Sequence, residues 1–282
     1  MSKQTLYDKL DLLGVEVDAI TNAGAIDYIT QRAASGQPSG YIVKPYVEFL
    51  DRAYRLPALR ELINEAELSI PDGVALVWAA AFLYAGPRTL WRFMLTLSQI
   101  ILAPHELRWP LPDRAAGINF TWPLLEAARA ANLRICLIGS PADGRDMAAV
   151  ANTIRARVAG ITITATISGR DPASPRGHVS DQWLTATAEA VRAAKADLIL
   201  IGMGFPLQER VCAYLAAHLD HGIFVGEGGT FDYESFGGRQ RKAPSWMQRA
   251  GLEWLWRLIL QPRRLERQLA IPRFIWHVWR SR

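Results

Sequence analysis

Ile70-Pro71-Asp72-Gly73-Val74-Ala75-Leu76-Val77-Trp78 reads as a strand end, a sharp turn and the start of a helix. The short extended run Leu68-Ser69-Ile70 stops at Pro71, whose ring removes a backbone donor. Asp72 and Gly73 supply turn chemistry, and an apolar, helix-compatible run continues to about Tyr84. A carboxylate at such a junction has two readings. It caps the helix, or it stands where α/β proteins keep their chemistry, outside the carboxyl ends of the strands. The local residues leave both open.

Upstream, residues 1–39 give a weak lead-in and then a helix from Asn22 to Ala34, ended by Gly36 and Pro38. Tyr41-Ile42-Val43 is a short strand that halts at Lys44-Pro45-Tyr46. A helix runs from Val47 to about Arg55, and another follows Pro57. Downstream, Asn119 to Ala131 reads as a helix, after which strands and helices alternate. The strands are Arg134–Ile138, Ile161–Ile167, Asp197–Ile201 and Ile223–Val225. The helices are Asp143–Val158, one capped by Ser180 and reaching Ala194, and one opened by Pro206. This alternation predicts a parallel sheet with helices on both faces. No internal repeat is evident.

The 282 residues are half hydrophobic and about one-fifth charged, enough for a sizeable core. Cys136 and Cys212 both sit in apolar or helical runs and read as core residues of a reducing compartment, with no cysteine–histidine spacing for zinc. The polar stretch Met1–Asp11 does not read as a signal peptide. No uncharged run reaches the ~20 residues of a membrane span.

Charge is unevenly placed. Residues 239–282 carry ten Arg and one Lys against Glu253 and Glu266, a net +9, so the chain's +5 leaves residues 1–238 at −4. The same tail holds five of the ten tryptophans, namely Trp246, Trp254, Trp256, Trp276 and Trp279, on a helical pattern, which marks a partner-facing segment. Ala85 to Arg114 is dense in apolar residues, with only Arg88 and Arg92 charged before His105. It reads as a buried helix or as an amphipathic helix lying on a membrane.

Three strand ends carry glycine. Gly202-Met203-Gly204-Phe205-Pro206-Leu207-Gln208-Glu209 takes a buried strand through two glycines into a helix start, where free N–H groups attract an anion such as a diphosphate. Gly139-Ser140-Pro141 is a weaker copy, and Gly226-Glu227-Gly228-Gly229-Thr230-Phe231-Asp232 is a third. Three such ends of one sheet line one crevice, suited to a nucleotide-type ligand. The three-glycine dinucleotide fingerprint is absent.

The ordered set PDGVALVW (71–78), GFPLQER (204–210), GTFD (229–232), APSWM (243–247), GLEWLWRL (251–258) and QPRRL (261–265) resembles the WecG/TagA/CpsF glycosyltransferases, glycosyltransferase family 26, over about Gly14 to Arg267. The resemblance implies a Rossmann-like α/β domain over residues 1–242, its N-terminal part carrying Asp72 and its C-terminal part starting near 117. It also implies a helical, membrane-associating appendage over 243–282. The implied activity is an inverting, metal-independent transfer from a UDP-sugar to a polyprenyl-diphosphate-linked saccharide, without a cofactor, on the inner face of the cell membrane in surface polysaccharide synthesis. Asp72 matches the family's proposed general base. Arg114 matches an arginine expected near the active site, Gln208 a donor contact and Asp232 an aspartate near the nucleotide. Gly139, Gly202, Gly204, Phe205, Pro206, Glu209 and Phe231 fall with the donor-binding ends. Arg257, Arg263 and Arg264 match tail arginines that face diphosphate groups.

Three departures stand out. Lys44-Pro45-Tyr46 replaces the usual Thr-x-Asn, and Lys44 is expected to pair with an anion, a uronic acid or a diphosphate. The link between the Asp72 helix and Arg114 is long, and its extra part is expected to touch the membrane or the acceptor lipid. The loop Phe231–Gly238 is slightly long, and Lys242 replaces an arginine before Ala243-Pro244. The expected membrane partner of the Trp/Arg tail is an anionic surface, with the tail brought over the site as a lid. A nucleic-acid-binding tail is the rival; helical Trp and Leu spacing and the lack of a recognised module speak against it. A non-catalytic nucleotide-sugar-binding protein is a second rival. A homo-oligomer is left open.

Overall fold

A computed structural model describes residues 7–102, 109–114, 117–175, 177–245, 247, 252–260, 265 and 269–281. The chain opens with an antiparallel hairpin, β1 (Lys9–Leu12) and β2 (Val15–Asp18). Then follow α1 (Asn22–Ala34), β3 (Gly40–Val43), α2 (Val47–Arg55), α3 (Pro57–Asn64), β4 (Leu68–Ser69), α4 (Val74–Tyr84), α5 (Leu90–Leu102) and α6 (Ile118–Ala130). The second half runs β5 (Arg134–Gly139), α7 (Met147–Arg157), β6 (Thr162–Ser168), α8 (Asp181–Ala194), β7 (Leu198–Gly202), α9 (Leu207–His218) and β8 (Ile223–Gly226). Two 3-10 turns, Thr230–Asp232 and Glu234–Phe236, precede α10 (Glu253–Leu260) and α11 (Ala270–Arg280).

Strands β3 to β8 form one parallel, Rossmann-like sheet in the order β4-β3-β8-β7-β5-β6. Because all six run the same way, their carboxyl ends share one edge. The period-2 alternation of strand side chains builds two cores. Tyr41, Val43, Cys136, Ile138, Ile199, Ile201 and Phe224 face one core with α2, α3, α4, α8, α9 and α11. Ile42, Ile135, Leu137, Leu198, Leu200, Ile223 and Val225 face the other with α1, α6 and α7. The inner strands β5 and β7 are buried almost throughout, as sheets covered on both faces require.

Local chemistry sets the helix starts. Thr21 Oγ1 accepts from Gly24 N–H, Asp146 from Ala149 N–H and Ser180 from Trp183 N–H. Pro57 occupies the first turn of α3. Pro206, expected inside the first turn of α9, stands one position earlier as its N-cap.

Within residues 85–114, α5 has one packed face and one exposed face. Arg92 donates to the carbonyls of Ala81, Phe82, Gly86 and Pro87, so α5 is pinned to the end of α4. Phe93 packs on Phe82 and Trp279, and Trp78 Nε1 donates to Thr96 Oγ1 at 3.1 Å. The opposite face carries Leu90, Trp91, Met94 and Leu95, all exposed.

The last helix is packed, not free. Phe274 and Val278 are fully buried, and Arg273 pairs with the buried Asp51 of α2 at 2.9 Å. Trp246, Arg263 and Arg264 lie outside the described residues, as do the side chains of Trp254 and Arg257.

Candidate active site

The shared edge of the sheet collects several of the residues singled out by the sequence, together with Glu227. Lys44 follows β3, Asp72 follows β4, Gly139 ends β5, Gly202 ends β7 and Glu227 follows β8. Asp72 N–H donates to Pro45 O at 2.8 Å, which fixes the turn after β4 against the end of β3. The helix α4 is not capped by Asp72. Its N-cap is Gly73, at φ 91, and no side chain caps it. That positive φ is what requires glycine here. Asp72 is half-buried in the turn after β4, and its side chain does not close the helix.

Glycine has different jobs at the other ends. A Cβ on Gly202 would stand 2.5 Å from Phe231 Cδ2, and one on Gly139 would stand 2.7 Å from Met147 Sδ and 3.2 Å from the same ring carbon. At Gly202 the close approach is made by the buried Phe231 ring, and at Gly139 by Met147 first and then by that ring. Gly204 differs, with φ 76 and nothing within 4 Å of its Cβ position, so it borders open space. The Phe231 loop is held by Arg145, which donates to Phe231 O and Phe236 O at 2.7 and 2.8 Å and pairs with Asp143. Asp232 Oδ1 accepts from Ala142 N–H at 2.7 Å and ties this loop to the end of β5.

Gln208 is buried, and both ends of its amide are engaged. Nε2 donates to Glu209 Oε1 at 2.6 Å, and Oε1 accepts from Gly228 N–H at 2.8 Å. It clamps the glycine loop after β8 onto α9, which a sequence reading of a donor contact does not anticipate. Burial pushes the Glu209 carboxyl up to about 7, and its Oε2 has no hydrogen-bond partner among the described residues. Phe205 stacks on Phe49 with ring centroids 3.8 Å apart and lies under the Arg52 guanidinium. Pro206 is half-buried at the start of α9.

Lys44 does not meet an open crevice alone. Its Nζ stands 2.8 Å from Glu227 Oε2, which also accepts from Thr121 Oγ1 at 2.6 Å. The Phe120 ring lies beside the ammonium, 5.2 Å to the centroid. Glu227 sits among glycines in its loop, and nothing in that local sequence marks it as the partner of Lys44. Lys242 Nζ donates to Asn119 Oδ1, bringing the chain after β8 to the first turn of α6. Arg114 is placed by its backbone: its carbonyl accepts from Asn22 Nδ2 and its N–H donates to Asp113 Oδ1. Among the described residues no three His, Cys, Asp or Glu side chains are grouped to hold a metal ion.

A sequence profile described as the glycosyl transferase WecG/TagA/CpsF family matches residues 10–95 and 93–282. The chain belongs to this family. It is a glycosyltransferase. Curated relatives include the N-acetylglucosaminyldiphosphoundecaprenol N-acetyl-beta-D-mannosaminyltransferases of Staphylococcus aureus strains NCTC 8325 / PS 47, COL and MRSA252. Each is 24% identical over 275 residues, which cover 97% of this chain and 93% of the relative. This glycosyltransferase thus matches those relatives over nearly their whole length.

Proposed function

We propose that this glycosyltransferase moves a sugar from a UDP-sugar to a polyprenyl-diphosphate-linked saccharide, with inversion at the anomeric carbon, in surface polysaccharide assembly. Asp72 is the general base. Its carboxylate accepts the proton of the acceptor hydroxyl as that oxygen bonds to the anomeric carbon. The bond from that carbon to the β-phosphate oxygen breaks, and UDP leaves with the electron pair. The candidate donor sugars are of the N-acetylmannosamine type, a uronic acid or glucose.

The observation that carries this reading is the sheet order. It sets Asp72 in one row with the ends of β5 and β7, at the crevice where open parallel sheets bind ligands. The names of the relatives, which specify an undecaprenyl-diphosphate-linked sugar, support the acceptor class. Gly204, with open space beside it at the start of α9, supports a diphosphate at that helix terminus. Asp232, Gln208 and Phe231 then shape the donor side by holding loops, and Arg114, Arg257, Arg263 and Arg264 are the diphosphate-facing arginines.

Peripheral attachment to an anionic bilayer belongs to the same proposal. Among the described residues no helix is long and apolar enough to cross a membrane. The basic, tryptophan-rich tail and the exposed Leu90, Trp91, Met94 and Leu95 face of α5 support an interfacial position. Because α11 is part of the core, truncation from Ala243 is a poor probe of this attachment; surface substitutions are the clean one.

The test is UDP release by purified protein, with a panel of UDP-sugars and a short-chain polyprenyl-diphosphate glycoside, together with the anomeric configuration of the product by NMR. Acceptor-dependent release and an inverted product are expected. Release that ignores the acceptor, or a retained anomer, contradicts the proposal.

A further inference from the structure

Arg114 stands four residues before α6, in a strap that passes from one face of the sheet to the other. Leu111 is fully buried in the core shared with α2 and α4, whereas α6 packs into the opposite core. The first turn of α6 is docked at the carboxyl edge of the sheet. Thr121 Oγ1 donates to Glu227 Oε2 at 2.6 Å, and the Phe120 ring lies beside Lys44. Helix α1 reaches the same region from the other direction. It packs on the sheet through Ala25, Ile29 and Ala33, next to α6, and its last turn leads by a short link into the start of β3. A helix that feeds a parallel strand in this way runs antiparallel to it, so the first turn of α1 lies toward the carboxyl ends.

Three hydrogen bonds clip the strap to that first turn. Asn22 Nδ2 donates to Arg114 O at 3.0 Å, Asn22 N–H donates to Asp113 Oδ2 at 3.1 Å, and Arg114 N–H donates to Asp113 Oδ1 at 2.8 Å. Both backbone polar groups of Arg114 are thereby held. The Asn22 side chain is not needed to close α1, because Thr21 Oγ1 already caps it by accepting from Gly24 N–H. The Asp113 carboxylate is favourable at the positive end of the helix. The Arg114 guanidinium itself makes no hydrogen bond or ion pair among the described residues. The clip fixes the backbone and leaves the cation to be used.

Resting on the reading of Arg114 as a diphosphate-facing arginine, we infer that Asn22 and Asp113 are positioning residues for the transfer, acting on the substrate only through Arg114. A guanidinium offers its N–H groups to phosphate oxygens as a planar fork, so its orientation matters as much as its charge. Arginine also has a long stem with many rotamers, and a fixed backbone narrows the space they sweep. Misplacement of a charge-stabilising group by about 1 Å can cost on the order of 10²-fold in rate. Asn22 and Asp113 supply the support that such a group needs from residues that never meet the substrate.

The experiment is a double-mutant cycle on kcat/KM for acceptor-dependent UDP release, with a panel of UDP-sugars and a short-chain polyprenyl-diphosphate glycoside. Asn22→Ala removes the side-chain donor; alanine suits a helix and Thr21 remains the cap, so the melting temperature is expected to stay near the native value. In the native background Asn22→Ala should lower kcat/KM at least about tenfold. Added to Arg114→Ala, it should change kcat/KM by less than about twofold, because the group it positions is gone. Asp113→Asn, which leaves one acceptor oxygen for two N–H groups, should repeat both results and carries the test if Asn22→Ala lowers the melting temperature. An equal loss in the two backgrounds overturns the inference, since a general structural effect does not depend on Arg114. Undiminished kcat/KM in folded Asn22→Ala and Asp113→Asn also overturns it. An Arg114→Ala protein as active as the native one removes the reading of Arg114 together with the inference, and a native protein with no acceptor-dependent release from any donor overturns the transfer reading itself.

Discussion

Asp72 N–H donates to the Pro45 carbonyl at 2.8 Å, and this one bond joins the turn after β4 to the residue that follows Lys44. The proposed base and the buried charge pair are therefore neighbours along the edge of the sheet.

Gly202→Ala is expected to destabilise the fold by about 1–3 kcal/mol through overpacking, because the added methyl meets the Phe231 ring at 2.5 Å. Phe231→Leu in the same chain should recover part of that loss. Denaturant unfolding of the two single variants and the double checks it; strict additivity would show that the two residues do not share the space.

Glu209 makes stability pH-dependent. Its carboxyl is raised to about 7 in the folded protein against an unfolded value near 4.5. Below about pH 4.5 the group is protonated in both states and imposes no penalty. As pH rises toward 7 the folded state holds the extra proton, so stability falls through that window and stays lowered above it. Glu209→Gln removes this dependence. Between pH 5 and pH 8 the native protein should lose on the order of a few kcal/mol relative to the variant, read from melting temperatures across the range. Parallel curves would refute a buried carboxyl that titrates near neutrality.

The exposed face of α5 predicts a membrane phenotype. Trp91 is 77% exposed, and from Gly73 to His105 the chain has no acidic residue. Trp91→Glu with Leu95→Glu should weaken binding to phosphatidylglycerol-containing vesicles at least tenfold while leaving circular dichroism and UDP binding unchanged. Unaltered co-sedimentation would assign attachment to the tail alone.

Much of this fold is legible in the residues. Asn22–Ala34 and Val47–Arg55 are bounded by proline and glycine signals that match the helix ends, and the apolar runs at 134–139 and 198–202 can only be covered strands. The first hairpin escapes because Leu13, at φ 60, holds a turn position that usually advertises itself by asparagine or glycine. The site is legible in position but not in duty. Asp72 is separated from a capping role only by the geometry of Gly73. Gly202 is explained by the Phe231 ring from a distant loop, and Gly139 by Met147 together with that ring, which local sequence does not reveal. Lys44 and Glu227 look like independent charges until β3 and β8 are known to be neighbours. For α5, periodicity shows apolar residues on both faces, and only the packing of Phe93 and Thr96 decides which face is core.

The central claim is that Asp72 removes the acceptor proton. Its most direct test is Asp72→Asn, measured for acceptor-dependent UDP release beside UDP affinity and melting temperature. A loss of about 10²–10⁴-fold in kcat, with UDP affinity and melting temperature near native values, is the predicted result. Retained turnover in a folded Asp72→Asn protein would contradict the account and move the base elsewhere along the edge.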